Sequence, residues 1–278
     1  MPDWETLAEG FRRLEAPCVD ADGNLFFAER EDPGTVLRLG TDGSVTSVVE
    51  RFPSIGGIAI HADGGLVVAG RTVSLFRDGH ETVVMEPSGG WGFNDLTTDE
   101  AGRVYVGMHG EAPSATSPDV KASLWRIDPG GKSTWCYGDV EMTNGLALSA
   151  DGKYLYHNDT IRKLVFVSDV GEEGELTGRR PFFQLSEGTP DGMGIDADGY
   201  VWLALIGMGK LIRIAPDGTQ DRFVEVPMPW VTSLCFGGSD GRDLYVTTFG
   251  APYDPAHTGS ILRTRVDVPG PIRPPARV

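Results

Sequence analysis

Six glycines, Gly23, Gly64, Gly102, Gly152, Gly199 and Gly241, close the same short phrase along the chain, and the positions eight residues before them are Glu15, Gly56, Asn94, Asn144, Asp191 and Ser233. Five of these six carry a side-chain oxygen, four are carboxylates or carboxamides, and none is His or Cys. Oxygen-only donors suit a hard cation, Ca²⁺ ahead of Mn²⁺ and Mg²⁺, with Zn²⁺ less natural. Glu15 and Asp191 would together neutralise one divalent charge. Brought together without a cation they would repel, and one would have to take up a proton. Asn and Asp also cap strand ends and bond turn amides. That role does not account for four of them at one offset in four separate phrases.

The phrase that sets this offset is an apolar run, a turn ending in Gly and a second apolar run, as in Cys18–Asp20, Ala21-Asp22-Gly23 and Leu25–Ala28. Successive turn glycines lie 38 to 50 residues apart, the length of four strands and their turns, which is the period of a propeller blade. Asp-Gly supplies positive-φ turn positions, so each phrase reads as a β-hairpin. A second hairpin follows each one, as in Val36–Leu39 with Val45–Val49, or Leu211–Ile214 with Arg222–Val226. The last blade has only Ile261–Val266 in this place. Its missing strand is expected from Glu9–Leu14, closing the ring by pairing the two ends of the chain. The expected architecture is all-β, a six-bladed β-propeller of four-stranded antiparallel blades, spanning residues 1–278 as one domain. Equivalent positions of the innermost strands then face one another across the central channel.

The chain has 278 residues, and its 38 glycines and 19 prolines are spread evenly, as many tight turns require. Its formal charge of −16 repels phosphate backbones and anionic headgroups, which argues against nucleic acid or a membrane surface as partners. The stretch 1–13 is charged without an apolar centre, and no run reaches membrane-spanning length; a cytoplasmic protein is expected. Cys18, Cys136 and Cys235 have no metal-ligand spacing and sit in apolar runs. They read as small, reduced core residues.

Several phrases, in this order, resemble the senescence-marker-protein-30/gluconolactonase/luciferin-regenerating-enzyme-like family over nearly the whole chain. They are Glu15-Ala16-Pro17; Phe93-Asn94-Asp95 with Asp99 and Gly102-Arg103; Thr143-Asn144-Gly145-Leu146-Ala147 with Asp151-Gly152-Lys153; Pro190-Asp191-Gly192-Met193 with Asp196 and Gly199; and Phe236-Gly237-Gly238 before Leu244–Thr248. The resemblance implies a six-bladed propeller with one divalent ion held by a Glu, an Asn and an Asp, matching Glu15, Asn144 and Asp191. It implies a further Asn, matching Asn94, beside the ion and in contact with substrate or a bound water. The offset of eight had selected the same four residues independently. Family members acting on sugar lactones often have a basic residue two places before that Asn, where this chain has Gly92 preceded by Trp91, and Leu96 replaces the Gly common after Asn-Asp. A lost cation and a gained aromatic point to a substrate less polar than a sugar lactone.

The expected function is therefore metal-dependent hydrolysis of a small ester, a lactone first, with the cation as Lewis acid. Asp191 is the expected proton acceptor and Asn94 the residue that orients substrate, with Trp91 and His109 shaping the pocket from the loops around the third blade. His157 reads as a satisfied strand residue, and 111–120, rich in Pro and Ser, as a lid. A phosphotriesterase, or a lactone or hydroxy-acid isomerase or dehydratase, would use the same site. A non-catalytic, Ca²⁺-stabilised binding propeller is the alternative from another class.

Overall fold

The computed structural model describes residues 2–31, 33–89, 91–110, 121–250 and 258–278; the expected lid at 111–120 lies outside them. Strand β1 (Glu5–Phe11) comes first in the chain and joins the last blade. Blade I is β2 (Leu14–Val19), β3 (Leu25–Glu29), β4 (Thr35–Leu39) and β5 (Val45–Glu50). Blade II is β6 (Gly57–Ile60), β7 (Leu66–Ala69), β8 (Val73–Arg77) and β9 (His80–Met85). Blade III is β10 (Phe93–Thr98), β11 (Val104–Met108), β12 (Ala122–Ile127) and β13 (Ser133–Val140). Blade IV is β14 (Thr143–Leu148), β15 (Tyr154–Asp159), β16 (Leu164–Val170) and β17 (Leu176–Gln184). Blade V is β18 (Thr189–Ile195), β19 (Val201–Ile206), β20 (Lys210–Ile214) and β21 (Gln220–Glu225). Blade VI is β22 (Val231–Gly237), β23 (Asp243–Thr248), β24 (Gly259–Arg265) and, outermost, β1. The innermost strands touch in the cycle β2, β6, β10, β14, β18, β22 and back to β2, so the six antiparallel sheets form a closed propeller. Among the described residues no helix is long and apolar enough to cross a membrane.

Strand alternation explains why this ring holds together. On β3, Leu25 and Phe27 pack towards Cys235 and Tyr245 of blade VI, while Phe26 and Ala28 pack towards Ile58 and Val68 of blade II. Both faces of a second strand are therefore buried, which is why those strands read as unbroken apolar runs. Each of the six blade-to-blade seams has such a cluster. A fully buried Phe27 alone contributes about 2–3 kcal/mol.

The hairpins differ in one detail from the Asp-Gly reading. Asp20 N–H bonds Asn24 O at 3.0 Å and Gly23 N–H bonds Asp20 O at 3.1 Å. Only the glycine, with φ of 84°, has positive φ. The loop is thus a three-residue turn with a left-handed last position. The Asp20 carboxylate caps the amides of Asp22 and Asn24 at 3.0 and 2.8 Å.

Ring closure also comes from a different segment. The strand that pairs with β24 is Glu5–Phe11, not Glu9–Leu14, and Leu14 already belongs to β2. Bulges between Thr6 and Ala8 and between Glu9 and Phe11 break the alternation by which a strand is recognised. Cys18 and Cys235 are buried core residues, as expected, whereas Cys136 is only half-buried, on outer strand β13.

The C-terminal segment crosses the end of the channel at which the inner strands finish. Ala197 N–H bonds Pro269 O at 2.8 Å, Gly270 N–H bonds Gly241 O at 2.9 Å, Ala276 N–H bonds Ile60 O at 2.8 Å and Arg277 N–H bonds Gly102 O at 2.9 Å. From the middle of this strap Arg273 donates to Leu96 O and Pro17 O, both at 3.3 Å.

Candidate metal centre and active site

At the opposite end, where the inner strands begin, Glu15, Asn94, Asn144 and Asp191 lie at the second or third residue of β2, β10, β14 and β18. All four are at most 5% exposed except Asn144, which is partly exposed. In each of these strands the pairing register breaks at the site: between Glu15 and Cys18, Phe93 and Leu96, Thr143 and Leu146, and Pro190 and Met193. A bulge re-aims a side chain that a regular strand would send into a seam. Ala16, next to Glu15, has a φ of 53°, a left-handed conformation that a non-glycine residue adopts only under constraint. Blade II, with Gly56 in the ring, runs through without a register break. A Cβ there would stand 2.3 Å from Asn94 Oδ1, so Asn94 already fills that place.

The inner strands approach closely. A Cβ on Gly145 would meet Asp191 O at 2.5 Å, and one on Gly192 would meet Ser233 Oγ at 2.1 Å. The glycines that follow Asn144 and Asp191 thus let neighbouring blades bring their site residues together.

The four residues are tied by a continuous chain of contacts. Arg30 Nη1 donates to Asn94 Oδ1 at 3.2 Å and stands 3.6 Å from Glu15 Oε1. Arg13 Nη2 reaches the same Glu15 oxygen at 3.4 Å. Asn94 Nδ2 donates to Asn144 Oδ1 at 3.1 Å and to Thr143 O at 2.9 Å. Asn144 Nδ2 donates to Thr160 Oγ1 at 3.1 Å, and Thr160 Oγ1 donates to Pro190 O at 2.8 Å. Asn158 Nδ2 holds Asp191 O at 3.0 Å.

Arg13, Arg30, Asn158 and Thr160 were not anticipated. A second count would have found two of them: the residue just after the second strand of each blade is Arg30, Gly70, His109, Thr160, Gly207 or Phe249, six to eight places beyond the turn glycine. His109 belongs to this ring, half-buried, with the Trp91 ring centroid 6.2 Å from its own. Burial, and then the Arg30 charge, lower its pKa to about 4, so it is neutral at pH 7. Trp91 itself is 71% exposed. His157 is fully buried, with one ring nitrogen 2.9 Å from Tyr137 Oη and the other 2.8 Å from Thr143 Oγ1. It anchors the strand that carries Asn144.

Burial, reinforced by the charges of Glu15 and Asp95, pushes the Asp191 carboxyl well above the ordinary range, with Arg30 and Arg13 opposing. Asp95, next along β10, is raised to about 7 by burial and then by Glu15. It keeps partial exposure along the channel, but protein surrounds it closely enough to cost its charge much of its hydration. Asp191 is 3% exposed, and among the described residues Asn158 Oδ1, whose amide holds the Asp191 carbonyl, is a buried acceptor without a partner. Among the described residues no three His, Cys, Asp or Glu side chains form a metal-binding group. The candidate set has only two carboxylates and takes its third oxygen from a carboxamide. Two buried carboxylic residues and a carboxamide at equivalent strand positions, next to the unpartnered Asn158 Oδ1, fit a hard divalent cation.

Comparison with known proteins bears on this arrangement. The 6-deoxy-6-sulfogluconolactonase of Pseudomonas putida is 31% identical over 84% of this chain and 84% of its own. The regucalcin of Xenopus laevis is 33% identical over 87% and 85%. The solved structure of a calcium-binding regucalcin from Agrobacterium tumefaciens superposes with a TM-score of 0.87 at 22% identity, covering 100% of this chain and 98% of that one. The sequence profile of the SMP-30/Gluconolactonase/LRE-like region matches residues 14–250, from the strand that carries Glu15 to the end of the last inner hairpin, and the chain belongs to that family.

Proposed function

We propose that this protein hydrolyses a lactone at the open end of its channel, with one divalent cation, Ca²⁺ first, held by Glu15, Asn144 and Asp191. The observation that supports this reading is that the three donors sit at equivalent points of bulged inner strands, linked through Arg30, Asn94 and Thr160, with Glu15 and Asp191 at most 5% exposed. Relatives named as a sugar-type lactonase and as regucalcin support the substrate class and the cation. When bound, the cation supplies Lewis acidity to the ester carbonyl and to the negative charge that develops on its oxygen.

The chain's own groups do the rest. Asn94, fixed through Asn144 and Thr143, orients the substrate. Asp191 takes a proton from the attacking water as its oxygen bonds the carbonyl carbon. The bond from that carbon to the ring oxygen then breaks, and the proton passes to the departing alkoxide, leaving a hydroxy acid. Trp91 and the neutral His109 shape the rim of the pocket.

The test is turnover on a panel of lactones with chelator, after metal is returned, and in Asp191→Ala and Asp191→Asn. Chelator should abolish turnover, the metal should restore it, and the variants should lose about 100-fold or more. Near-wild-type turnover by either variant with metal bound removes Asp191 from the chemistry. Metal-dependent melting without turnover on any lactone would favour the binding propeller.

A further inference from the structure

The two carbonyls that Arg273 holds from the strap belong to the bulges that aim two of the site residues. Pro17, whose O accepts from Nη2, lies two residues after Glu15, and Leu96, whose O accepts from Nη1, lies two residues after Asn94. The register of β2 breaks between Glu15 and Cys18 and that of β10 between Phe93 and Leu96. One bond therefore lands inside a bulge and the other on the residue that closes it. Both strands are at the edge of their sheets, and a carbonyl on the free edge needs a partner that the sheet cannot supply. Among the described residues the Arg273 side chain makes no other hydrogen bond and pairs with no carboxylate. Its fork is committed to backbone.

These bonds reach across blade II, which has Gly56 in the ring and an unbroken register. Blades III, IV and V are linked at the mouth by Asn94 on Thr143 and Asn144, Thr160 on Pro190 and Asn158 on Asp191. Between blades I and III the tie at the mouth is Arg30, set between Glu15 and Asn94; Arg273 makes the matching tie below. Ala16, between Glu15 and Pro17, is kept at a φ of 53°, a conformation that persists only where its surroundings over-determine it. Arg13 and Arg30 hold Glu15 on one side of it, and Arg273 holds Pro17 O on the other. Released from that bond, Ala16 can relax towards the ordinary extended region and turn the Glu15 carboxylate out of the ring.

We infer that Arg273 is a positioning residue: from the far end of the channel it staples the bulges of β2 and β10 and so keeps Glu15 and Asn94 in place for the cation and the substrate. The benefit to cation and substrate rests on the proposed function; the stapling itself does not.

Arg273→Met keeps the stem without its donors, and the backbone bonds of the strap to blades II, III, V and VI do not involve that side chain, so the ring should stay closed. Amide hydrogen exchange without metal should quicken about 10-fold over β2 and β10 and stay unchanged over β20 and β21. The Kd for Ca²⁺, by calorimetry, should rise about 10-fold at unchanged stoichiometry, the loss of roughly one charge-assisted hydrogen bond. A cavity of about 100 Å³ under the strap borders Arg273. In Arg273→Ala, guanidinium ion at non-denaturing concentration should enter there and restore both readings, and in Arg273→Met it should restore neither. Unchanged exchange over β2 and β10, an equal rise in every blade, an unchanged Kd, or no rescue of Arg273→Ala overturns the inference. If the wild type binds no Ca²⁺, the cation of the proposed function fails, and exchange with its rescue decides the role of Arg273. Should the Met and Ala variants not fold, Arg273→Lys carries the same two measurements with the same expected signs, because an ammonium cannot present a fork to two carbonyls; wild-type values in that variant overturn the inference.

Discussion

Replacing His157 by Phe separates two contributions that the same side chain makes to stability. The imidazole is fully buried and bonded through both nitrogens, to Tyr137 and to Thr143. Burial, aided by the Arg179 charge, lowers its pKa from 6.5 to about 3. In the unfolded chain it takes up a proton near its ordinary pKa, while in the folded protein it stays neutral until far lower pH. The unfolded state then binds more protons, so stability falls as pH drops from 6.5 towards 3. At about pH 5 that loss amounts to ~2 kcal/mol, and at about pH 7.5 it is close to nil. Phe keeps the ring volume but orphans Tyr137 Oη and Thr143 Oγ1, at about 1–3 kcal/mol each. His157→Phe should therefore be less stable than wild type by roughly 2–6 kcal/mol at about pH 7.5, and that gap should narrow by ~2 kcal/mol at about pH 5. Urea denaturation of both proteins at the two pH values, with chelator present so that cation binding does not enter, measures the gap directly. A gap that stays the same at both pH values would show that folded His157 titrates like an exposed imidazole, and the argument from burial would fail.

Removing residues 2–11 strips β1 from β24 and takes Phe11 from its edge contact with Phe27, ring centroids 5.6 Å apart. The truncated protein should aggregate or lose its cooperative melt, read by size-exclusion chromatography and calorimetry. Gly145→Ala would put a methyl 2.5 Å from Asp191 O and 2.9 Å from Met193 N. Spreading β14 from β18 should cost about 1–3 kcal/mol and reduce the rise in melting temperature on adding Ca²⁺, a rise that should survive if the cation lies elsewhere.

How much of this was legible in the sequence follows from what each feature is made of. The blades were readable because each needs a left-handed turn residue and two apolar runs, and Gly23 and its five counterparts mark that unit at regular distances. The inner ring was readable because Glu15, Asn94, Asn144 and Asp191 keep a constant offset from those turns. Their bulges were not, since a register break depends on the partner strand and leaves no residue type behind. Strand β1 was misplaced because its two bulges and its exposed residues erase the alternation. Arg30 and Thr160 went unnoticed because the surface arginines and threonines of this chain are many, and only the end of a neighbouring second strand tells which of them turn inward. The C-terminal strap, rich in Pro, makes one or two backbone bonds to each of four blades in turn and repeats nothing.

That strap turns the propeller from a tunnel into a cul-de-sac. With residues 269–277 stretched across the exit, whatever enters must leave by the way it came. On the proposed function, the hydroxy acid formed has to clear the entrance before its successor can be admitted. Arrival and departure thus share one threshold, and a spent molecule that lingers there keeps the next one waiting outside.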